Sequence, residues 1–300
     1  MVTLAGTVLL ITLTCVLLNP LSSPAPLYRW AAGAHSSNIV FVKLVPVHEI
    51  KLLMKVICLV PSLTETLIDC GVEVVGRTRF CVHPKDKVRG IAKVGGTKGV
   101  DWQKVAELNA DLVIFDREEN LKAMSDECPL PWHATHITST KTIAAELDKL
   151  AISVKSDQLS QLAGQWRAID AKASLNTMDF SDVPGQIELL ANTKKSYQRV
   201  EYVIWREPWM AVNRNTFVGS MLIKLGFGDY LNHHQDSYPV LNDDQMADPD
   251  TFYLFSSEPF PFAKHRDSLV AAGFNGAIVD GEVYSWFGTR SYRALAKYLD

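Results

Sequence analysis

Val56-Ile57-Cys58-Leu59-Val60-Pro61-Ser62-Leu63-Thr64-Glu65 is the stretch on which the fold turns. The apolar run from Val56 to Val60 reads as a short buried strand, closed by Pro61. Ser62-Leu63-Thr64-Glu65 then has the form of a capping box, in which the serine hydroxyl and the glutamate carboxylate each satisfy a free backbone N–H of a first helical turn. A helix is therefore expected from Ser62 to Cys70. Gly71 stands where a left-handed residue ends it, and Val72 to Val75 supplies the next apolar strand. The order strand, helix, strand in so short a span opens an α/β domain.

Working outward, Asp101 can cap a helix carrying Val105 and Leu108, and Asp111 to Phe115 reads as a buried strand running into Glu118, Glu119 and Asn120. Loops at the C-terminal ends of parallel strands form ligand crevices, so those polar residues fall where a ligand would sit. From Ile143 to Leu175 the pattern is continuously helical, with Leu159, Leu162, Trp166, Ile169 and Ala173 on one face. A helix there is a rigid connection, unlike a Gly-, Ser- or Pro-rich linker. Strands then recur at Val200 to Trp205, Phe252 to Phe255 and Ala277 to Val279, with a helix from Phe217 to Leu225 stopped by Gly226. Ala247-Asp248-Pro249-Asp250 precedes its strand much as Leu108-Asn109-Ala110 precedes Asp111 to Phe115, a weak internal duplication that predicts two similar lobes and one cleft.

The 300 residues suffice for two domains or one large one. Hydrophobic residues make up 47% and charged residues 21%, as in a globular protein. Thirty Lys and Arg stand against 33 Asp and Glu with no long run of either sign, which leaves no electrostatic footprint for nucleic acid. The five cysteines are odd in number and contain no C-x-x-C, so neither a zinc knuckle nor a thioredoxin-type site is indicated. Cys58 and Cys70 fall in apolar patterns and read as buried free thiols.

Residues 1–53 read as a leader or upstream extension, poorly ordered. Leu4 to Leu18 is apolar but shorter than the ~20 residues of a spanning helix. It is closer to the apolar core of an export signal, yet its first basic residue, Arg29, lies downstream of the run. Ala32-Gly33-Ala34 has the form of a cleavage site but lies far beyond the run, and Leu13-Thr14-Cys15 sits inside it. Alternatively the natural chain begins at Met54, just before the first strand. The first reading places the protein in the periplasm or cell envelope, the second in the cytoplasm.

Gly95-Gly96-Thr97-Lys98-Gly99 lacks the G-K-[ST] order of a phosphate-binding loop and reads instead as a tight turn beside a cleft. No G-x-S-x-G occurs, so a hydrolase has no specific support. Cys81, His83, His133, His136, His233 and His234 show no spacing that defines a metal site, and His133 and His136 are placed in a loop after Pro129 and Pro131. Trp205-Arg206-Glu207-Pro208-Trp209 and Tyr284-Ser285-Trp286-Phe287-Gly288 each follow a strand. Such loop aromatics suit a large planar ligand, or else packing between lobes.

Ile57 to Glu65, Val75 to Pro84, Val94 to Lys98 and Ala110 to Ile114 together resemble the first lobe of helical-backbone metal-receptor proteins, the cobalamin- and ferric-siderophore-binding components of class III ABC importers. Trp205 to Ala211, Phe217 to Gly226, Ser256-Ser257-Glu258-Pro259 and Asp280-Gly281-Glu282 continue the likeness to the C-terminus. The resemblance implies an α/β fold of two Rossmann-like lobes joined by a single long backbone helix: an N-terminal lobe at 54–142, a connecting helix region at 143–180 and a C-terminal lobe at 181–300. It implies a monomer that captures a small-molecule metal chelate or corrinoid (cobalamin, haem or a ferric siderophore) without chemistry or a catalytic cofactor, and passes it to an ABC importer permease. The different-class alternative is a cytoplasmic enzyme or metal- or tetrapyrrole-handling protein on the same fold.

Carried over by position, His83 stands where the cobalamin-binding member has a cleft Tyr, and Thr97 or Lys98 where it has a Trp. Trp286 and Phe287 stand where the family places an aromatic pair. With Phe80, Glu118, Asn120, Trp205 and Trp209 they make up the expected ligand-binding set. Arg77, Arg79, His83 and Lys98 make the first-lobe side of the cleft look basic, so an anionic chelate or porphyrin is expected alongside a corrinoid. Gln103 stands at the place of a docking Glu, with Asp101 as a substitute, and Asp243 and Asp244 supply acids at the matching place in the second lobe. The other reading of these acids is helix capping.

Overall fold

The computed structural model describes residues 54–176, 179–191 and 196–299. The leader or extension expected at residues 1–53 lies outside them. No helix among the described residues is long and apolar enough to cross a membrane.

The first lobe is a six-stranded sheet in the order β4-β3-β2-β1-β5-β6, made of β1 (Lys55–Cys58), β2 (Glu73–Thr78), β3 (Ala92–Gly96), β4 (Gly99–Val100), β5 (Leu112–Asp116) and β6 (Trp132–Thr135). Every pairing is parallel except that of β4 with β3. Helices α1 (Pro61–Asp69), α2 (Lys85–Val88), α3 (Trp102–Glu107) and α4 (Lys122–Asp126) lie between the strands. Val56 to Val60 are fully buried, as befits a central parallel strand covered on both faces. The expected capping box is not formed. Pro61 occupies the first helical position, where its fixed φ suits the helix and its missing N–H costs nothing, and Val60 is the N-cap without a side-chain bond. The helix thus starts one residue earlier than expected, which frees Glu65 for another partner. Gly71, at φ 72°, ends it as anticipated. His133 lies on the edge strand β6, not in a loop.

The helical stretch between the sheets is broken once. Helices α5 (Thr140–Val154) and α6 (Asp157–Ala171) are separated by Lys155 in the left-handed conformation and Ser156, whose hydroxyl accepts from the Leu159 N–H to cap α6. The Thr140 hydroxyl at the start of α5 donates to Asp170 near the end of α6 at 2.8 Å, so the pair is antiparallel. Its open end is anchored to the second lobe, where the Thr140 N–H donates to Ser220 at 2.9 Å. Its turn is anchored to the first lobe, where the Ser156 hydroxyl donates to the Cys70 carbonyl at 3.4 Å. The chain therefore runs between the lobes along both helices, α6 being the expected crossing helix and α5 its antiparallel companion. The apolar face slips at the break, where Val154 is followed five residues on by Leu159 instead of three or four, a small irregularity with no glycine or proline to mark it. Leu159, Leu162, Trp166 and Ile169 are buried as expected, whereas Ala173 is exposed beyond the helix end.

The second sheet runs β10-β9-β8-β11-β12-β7, from β7 (Gln186–Ala191), β8 (Arg199–Trp205), β9 (Trp209–Val212), β10 (Val240–Leu241), β11 (Thr251–Ser256) and β12 (Gly276–Val279). Only its centre, β8-β11-β12, is parallel, while β9, β10 and β7 run antiparallel to their neighbours. The duplication is thus confined to a central parallel core. Helices α7 (Phe217–Leu222), α8 (Asp243–Met246), α9 (Arg266–Ala271) and α10 (Gly281–Ser285) complete the lobe. Helix α7 runs on into a wider turn at Ile223–Phe227 that ends through Gly226 at φ 91°.

The last helix, α11 (Thr289–Leu299), returns to pack against α1 and α6. Its entry is tight: Gly288 has φ 108°, and a Cβ there would stand 1.9 Å from the Thr66 hydroxyl. The Gly288 carbonyl accepts from the Trp166 indole at 3.1 Å, and the Thr289 N–H donates to Thr66 at 3.1 Å. One hydrophobic core consequently runs from Val56 and Leu63, through Leu159 and Trp166, to Val200 and Phe252. Lobes that share a core can close only modestly, because opening them wide would expose close-packed surface.

Candidate functional site

Strand ends from both sheets converge on a cleft of about 580 Å³. The first lobe contributes Pro61 and Ser62 after β1, Arg79, Phe80 and Val82 after β2, Thr97 from the β3–β4 turn and Glu119 after β5. The second contributes Tyr202 and Ile204 of β8, Val218, Tyr238, the Ser256 to Pro259 loop after β11, and Glu282, Ser285 and Trp286. A smaller hollow of about 220 Å³ shares Glu119, Val218, Tyr238 and Ser285 and adds Glu118 and Phe287. Another hollow, of about 490 Å³, is lined by Phe115, Leu121, Trp132 and their neighbours in the first lobe alone. The cleft, with its smaller extension, draws on the strand ends of both lobes.

The first-lobe wall is held by a buried polar post. Asp116 is fully buried, accepting from the Thr135 hydroxyl at 2.6 Å and the Glu118 N–H at 2.9 Å, and burial pushes its carboxyl above the usual range. Asn120 accepts from the Asp116 N–H and donates to the carbonyls of Leu59 (3.3 Å) and Thr97 (2.9 Å). It thereby clamps the loop after β5 to the end of β1 and to the β3–β4 turn. That turn needs glycine: Gly95 has φ 144°, and a Cβ would meet the Gly99 carbonyl oxygen at 2.4 Å.

The opposite side is organised by Arg290 on α11. Its guanidinium makes two bonds to Glu65, both 2.8 Å, and one to Glu282 at 2.7 Å, and lies 5.1 Å from the Trp286 ring centre. The Trp286 indole donates to Glu258 at 2.9 Å, as does the Ser285 hydroxyl. His83 stands edge-on to Trp286 and 3.2 Å from Glu282. Burial, with Arg290 close by, lowers the tendency of His83 to take a proton, which weakens its ion pairing with Glu282. The chain spans lobe to lobe here, since Glu65 and His83 belong to the first lobe and Glu282, Trp286 and Glu258 to the second.

Of the residues expected to bind ligand, Phe80, Thr97 and Trp286 line the cleft, and Glu118 and Phe287 line its smaller extension. Glu118 is paired with His136 at 3.1 Å, and Phe287 packs edge-on against Phe217. His83 sits against Trp286 and Glu282. Lys98 donates to the Glu119 carbonyl at 2.6 Å, beside the cleft. The expectation fails for Asn120, which is spent on the backbone, and for two tryptophans. Both stand on strands, Trp205 at the end of β8 and Trp209 at the start of β9; Trp205 turns onto Phe260, and Trp209 stacks on Phe262 against the second lobe's own core, and neither lines the cleft.

The expected basic character also fails. Arg77 is buried, donating to the carbonyls of Val88, Thr78 and Cys81. Among lining residues Arg79 is the cation, against Glu119, Glu258 and Glu282. Burial pushes all three carboxyls above their usual range, with Lys98 opposing the effect at Glu119, hydrogen bonds from Ser285 and Trp286 opposing it at Glu258, and Arg290 opposing it at Glu282. Tyr202, Tyr238, Glu258, Glu282 and Arg290 were not anticipated as site residues. Glu258 and Glu282 directly follow β11 and β12, so the strand-end rule used for Glu118 to Asn120 would have found them. Among the described residues no group of three or more His, Cys, Asp or Glu side chains is placed to hold a metal ion. Cys58 and Cys70 are buried free thiols, as expected, with pKa values pushed up to about 12 and about 11 by burial.

No protein-family model and no curated protein sequence matches the chain. Solved structures do. The periplasmic haem-binding protein RhuT from Roseiflexus sp. RS-1, in apo form, is 18% identical with a TM-score of 0.62, over 81% of this chain and 95% of that one. The siderophore-binding protein FhuD from Vibrio cholerae, bound to Fe3+-Desferal, gives 17% and 0.58, over 82% and 96%. The periplasmic vitamin B12 binding protein BtuF of Vibrio cholerae gives 12% and 0.55, over 82% and 94%. Nearly the whole of each neighbour is thus matched by residues of this chain, at identities that speak for the fold. The chain has the two-lobed α/β fold of these binding proteins.

Proposed function

We propose that the protein is the solute-binding component of an ABC importer, working outside the cytoplasm. It takes one small ligand of the corrinoid, haem or ferric-chelate kind into the cleft between its lobes and releases it without chemistry. The observation that carries this reading is the cleft itself, which parallel-strand ends from both lobes wall with aromatic and polar side chains, in a fold shared with proteins that hold such ligands. Phe80, Tyr238 and Trp286 offer flat apolar faces, while Thr97, Ser62 and Glu119 offer polar anchors. The shared core makes the clamp stiff, so release depends on a partner that binds the open form better than the closed one.

For that partner the exposed acids of the two lobes are the proposed handles. Asp243 and Asp244 are exposed in the first turn of α8, where Asn242 is the cap, so neither acid is spent on capping. Asp101 does cap α3, accepting from the Lys104 N–H at 3.2 Å, and also pairs with the Lys104 ammonium, which makes it the weaker handle. Titration of the protein with cyanocobalamin, haem and ferric hydroxamates tests the reading. One ligand per chain, with no change in the ligand, is expected; failure of all of them to bind would overturn it.

A further inference from the structure

The charges left over in the cleft narrow the class of ligand. Arg290 is saturated by Glu65 and Glu282, and Lys98 is tied to a carbonyl at 2.6 Å. Arg79 lies 4.8 Å from the centre of the Phe80 ring, with no ion pair among the described residues. Against it stand Glu119 from the first lobe and Glu258 from the second. The Glu119 carboxylate accepts no hydrogen bond among the described residues. Glu258 receives both of its bonds on one oxygen, leaving the other open. The two acids face the same space closely enough that Glu258, after burial and Asp116, adds to the rise in the Glu119 carboxyl's pKa.

Like charges on opposite walls of a half-buried space oppose its closure unless something positive or donor-rich lies between them. A bound anion would add a further negative charge where water is leaving, the costliest place for it. An N–H donor or ammonium would bridge the two lobes instead. Phe80 and Tyr238, which belong to opposite lobes, are both about half exposed, at 46% and 47%, and offer apolar surface beside the acids. A flat or bulky apolar body with a donor-bearing fringe matches both features.

Resting on the reading of the cleft as a ligand site, we propose that it selects uncharged or cationic ligands that turn N–H donors toward Glu119 and Glu258. An ammonium-bearing ferric trihydroxamate or an amide-fringed corrinoid fits this class, and carboxylate-fringed ligands such as haem or ferric citrate are rejected. This reverses the charge preference that Arg77, Arg79, His83 and Lys98 suggest in sequence, because Arg77, His83 and Lys98 are not among the lining residues, where Arg79 stands against three carboxyl groups.

The test is calorimetric titration of the full chain with two matched pairs that differ by one unit of charge and in the N–H donors of one group. One pair is ferrioxamine B and its N-acetyl form; the other is cyanocobalamin and its monocarboxylic acid, in which one side-chain amide has become a carboxylate. For whichever scaffold binds, the more positive member should bind about tenfold tighter or better, the worth of one opposite charge at close range. In Glu119→Gln/Glu258→Gln, which keeps the acceptors and removes the charges, the preference should fall below about threefold. Glu119→Gln alone, at the carboxylate that accepts no hydrogen bond among the described residues, should give part of that loss if the double variant unfolds. Equal affinity within a pair, tighter binding of the more negative member, or binding of haem or ferric citrate alone would refute the charge selection while leaving the binding function standing. No binding of any probe would overturn both.

Discussion

Arg290→Met is the substitution whose consequence the structure fixes most fully. The arginine is 24% exposed and makes two 2.8 Å bonds to Glu65, which is itself 8% exposed, and one 2.7 Å bond to Glu282. Methionine keeps an apolar stem against Trp286 but leaves the Glu65 carboxylate buried without its cation. Breaking a buried pair from one side costs ~3–5 kcal/mol. Because a quarter of the guanidinium already meets water, the loss here is reduced to ~2–3 kcal/mol. In a chain of this length that corresponds to a fall in Tm of about 5–10 °C. Thermal and denaturant unfolding followed by circular dichroism would measure it. In a double-mutant cycle with Glu65→Gln, the two losses should fail to add by ~1–2 kcal/mol. A loss below ~0.5 kcal/mol, or strict additivity in the cycle, would show that the lobe-to-lobe ionic cluster contributes nothing to holding α11 on the first lobe.

Other outcomes follow from single residues. Trp286→Ala should weaken ligand binding by ~1 kcal/mol or more in calorimetry if its ring is an anchor, and an unchanged Kd would remove it from the site. Gly288→Ala should destabilise by ~1–3 kcal/mol, since φ 108° and the Thr66 hydroxyl both exclude a Cβ; a neutral effect on Tm would contradict the close approach of α11 to α1. Lys155→Gly should stabilise by ~0.5–1 kcal/mol, because only glycine takes the left-handed break between α5 and α6 without strain, and a drop in Tm would argue for a continuous helix. Glu258→Gln should be more stable than the parent at pH 8, where the parent carries a buried ionised carboxylate. Because the folded carboxyl is pushed above its ordinary 4.5, that advantage should vanish as pH falls below the unfolded value and both states are protonated. A gain that grows on acidification would have the wrong sign.

The parallel core was legible because it reports itself locally. Val56 to Val60 and Asp111 to Phe115 are continuous apolar runs, Gly71 and Gly226 mark helix ends, and Gly95 marks a turn that only glycine can make. What escaped is what depends on distant partners. The break at Lys155 and Ser156 carries no glycine or proline, and its one trace is the five-residue step from Val154 to Leu159 in an apolar stripe that otherwise keeps spacings of three and four. The Ser62 to Glu65 motif looked like a cap because Arg290, 225 residues away in sequence, was not in view. Arg77 looked like a cleft cation although its guanidinium is consumed by three carbonyls. Trp205 and Trp209 look like loop aromatics in sequence because nothing there shows that β8 runs up to the first and β9 starts at the second, or which way their rings turn. The acids after β11 and β12 are within reach of the same strand-end rule that points to Glu118, Glu119 and Asn120 in the first lobe.

The central claim is that one ligand lies between the lobes, and the most direct measurement is a titration of the full chain and of Val218→Trp with cyanocobalamin and ferrioxamine B. Val218 borders both the cleft and its extension, so an indole there would occupy the space. Saturation at one ligand per chain, lost or weakened at least about tenfold in Val218→Trp while Tm is retained, is the predicted result. Saturable binding that Val218→Trp leaves unchanged, or no binding of these two ligands, of haem or of ferric citrate to the parent protein, would contradict it.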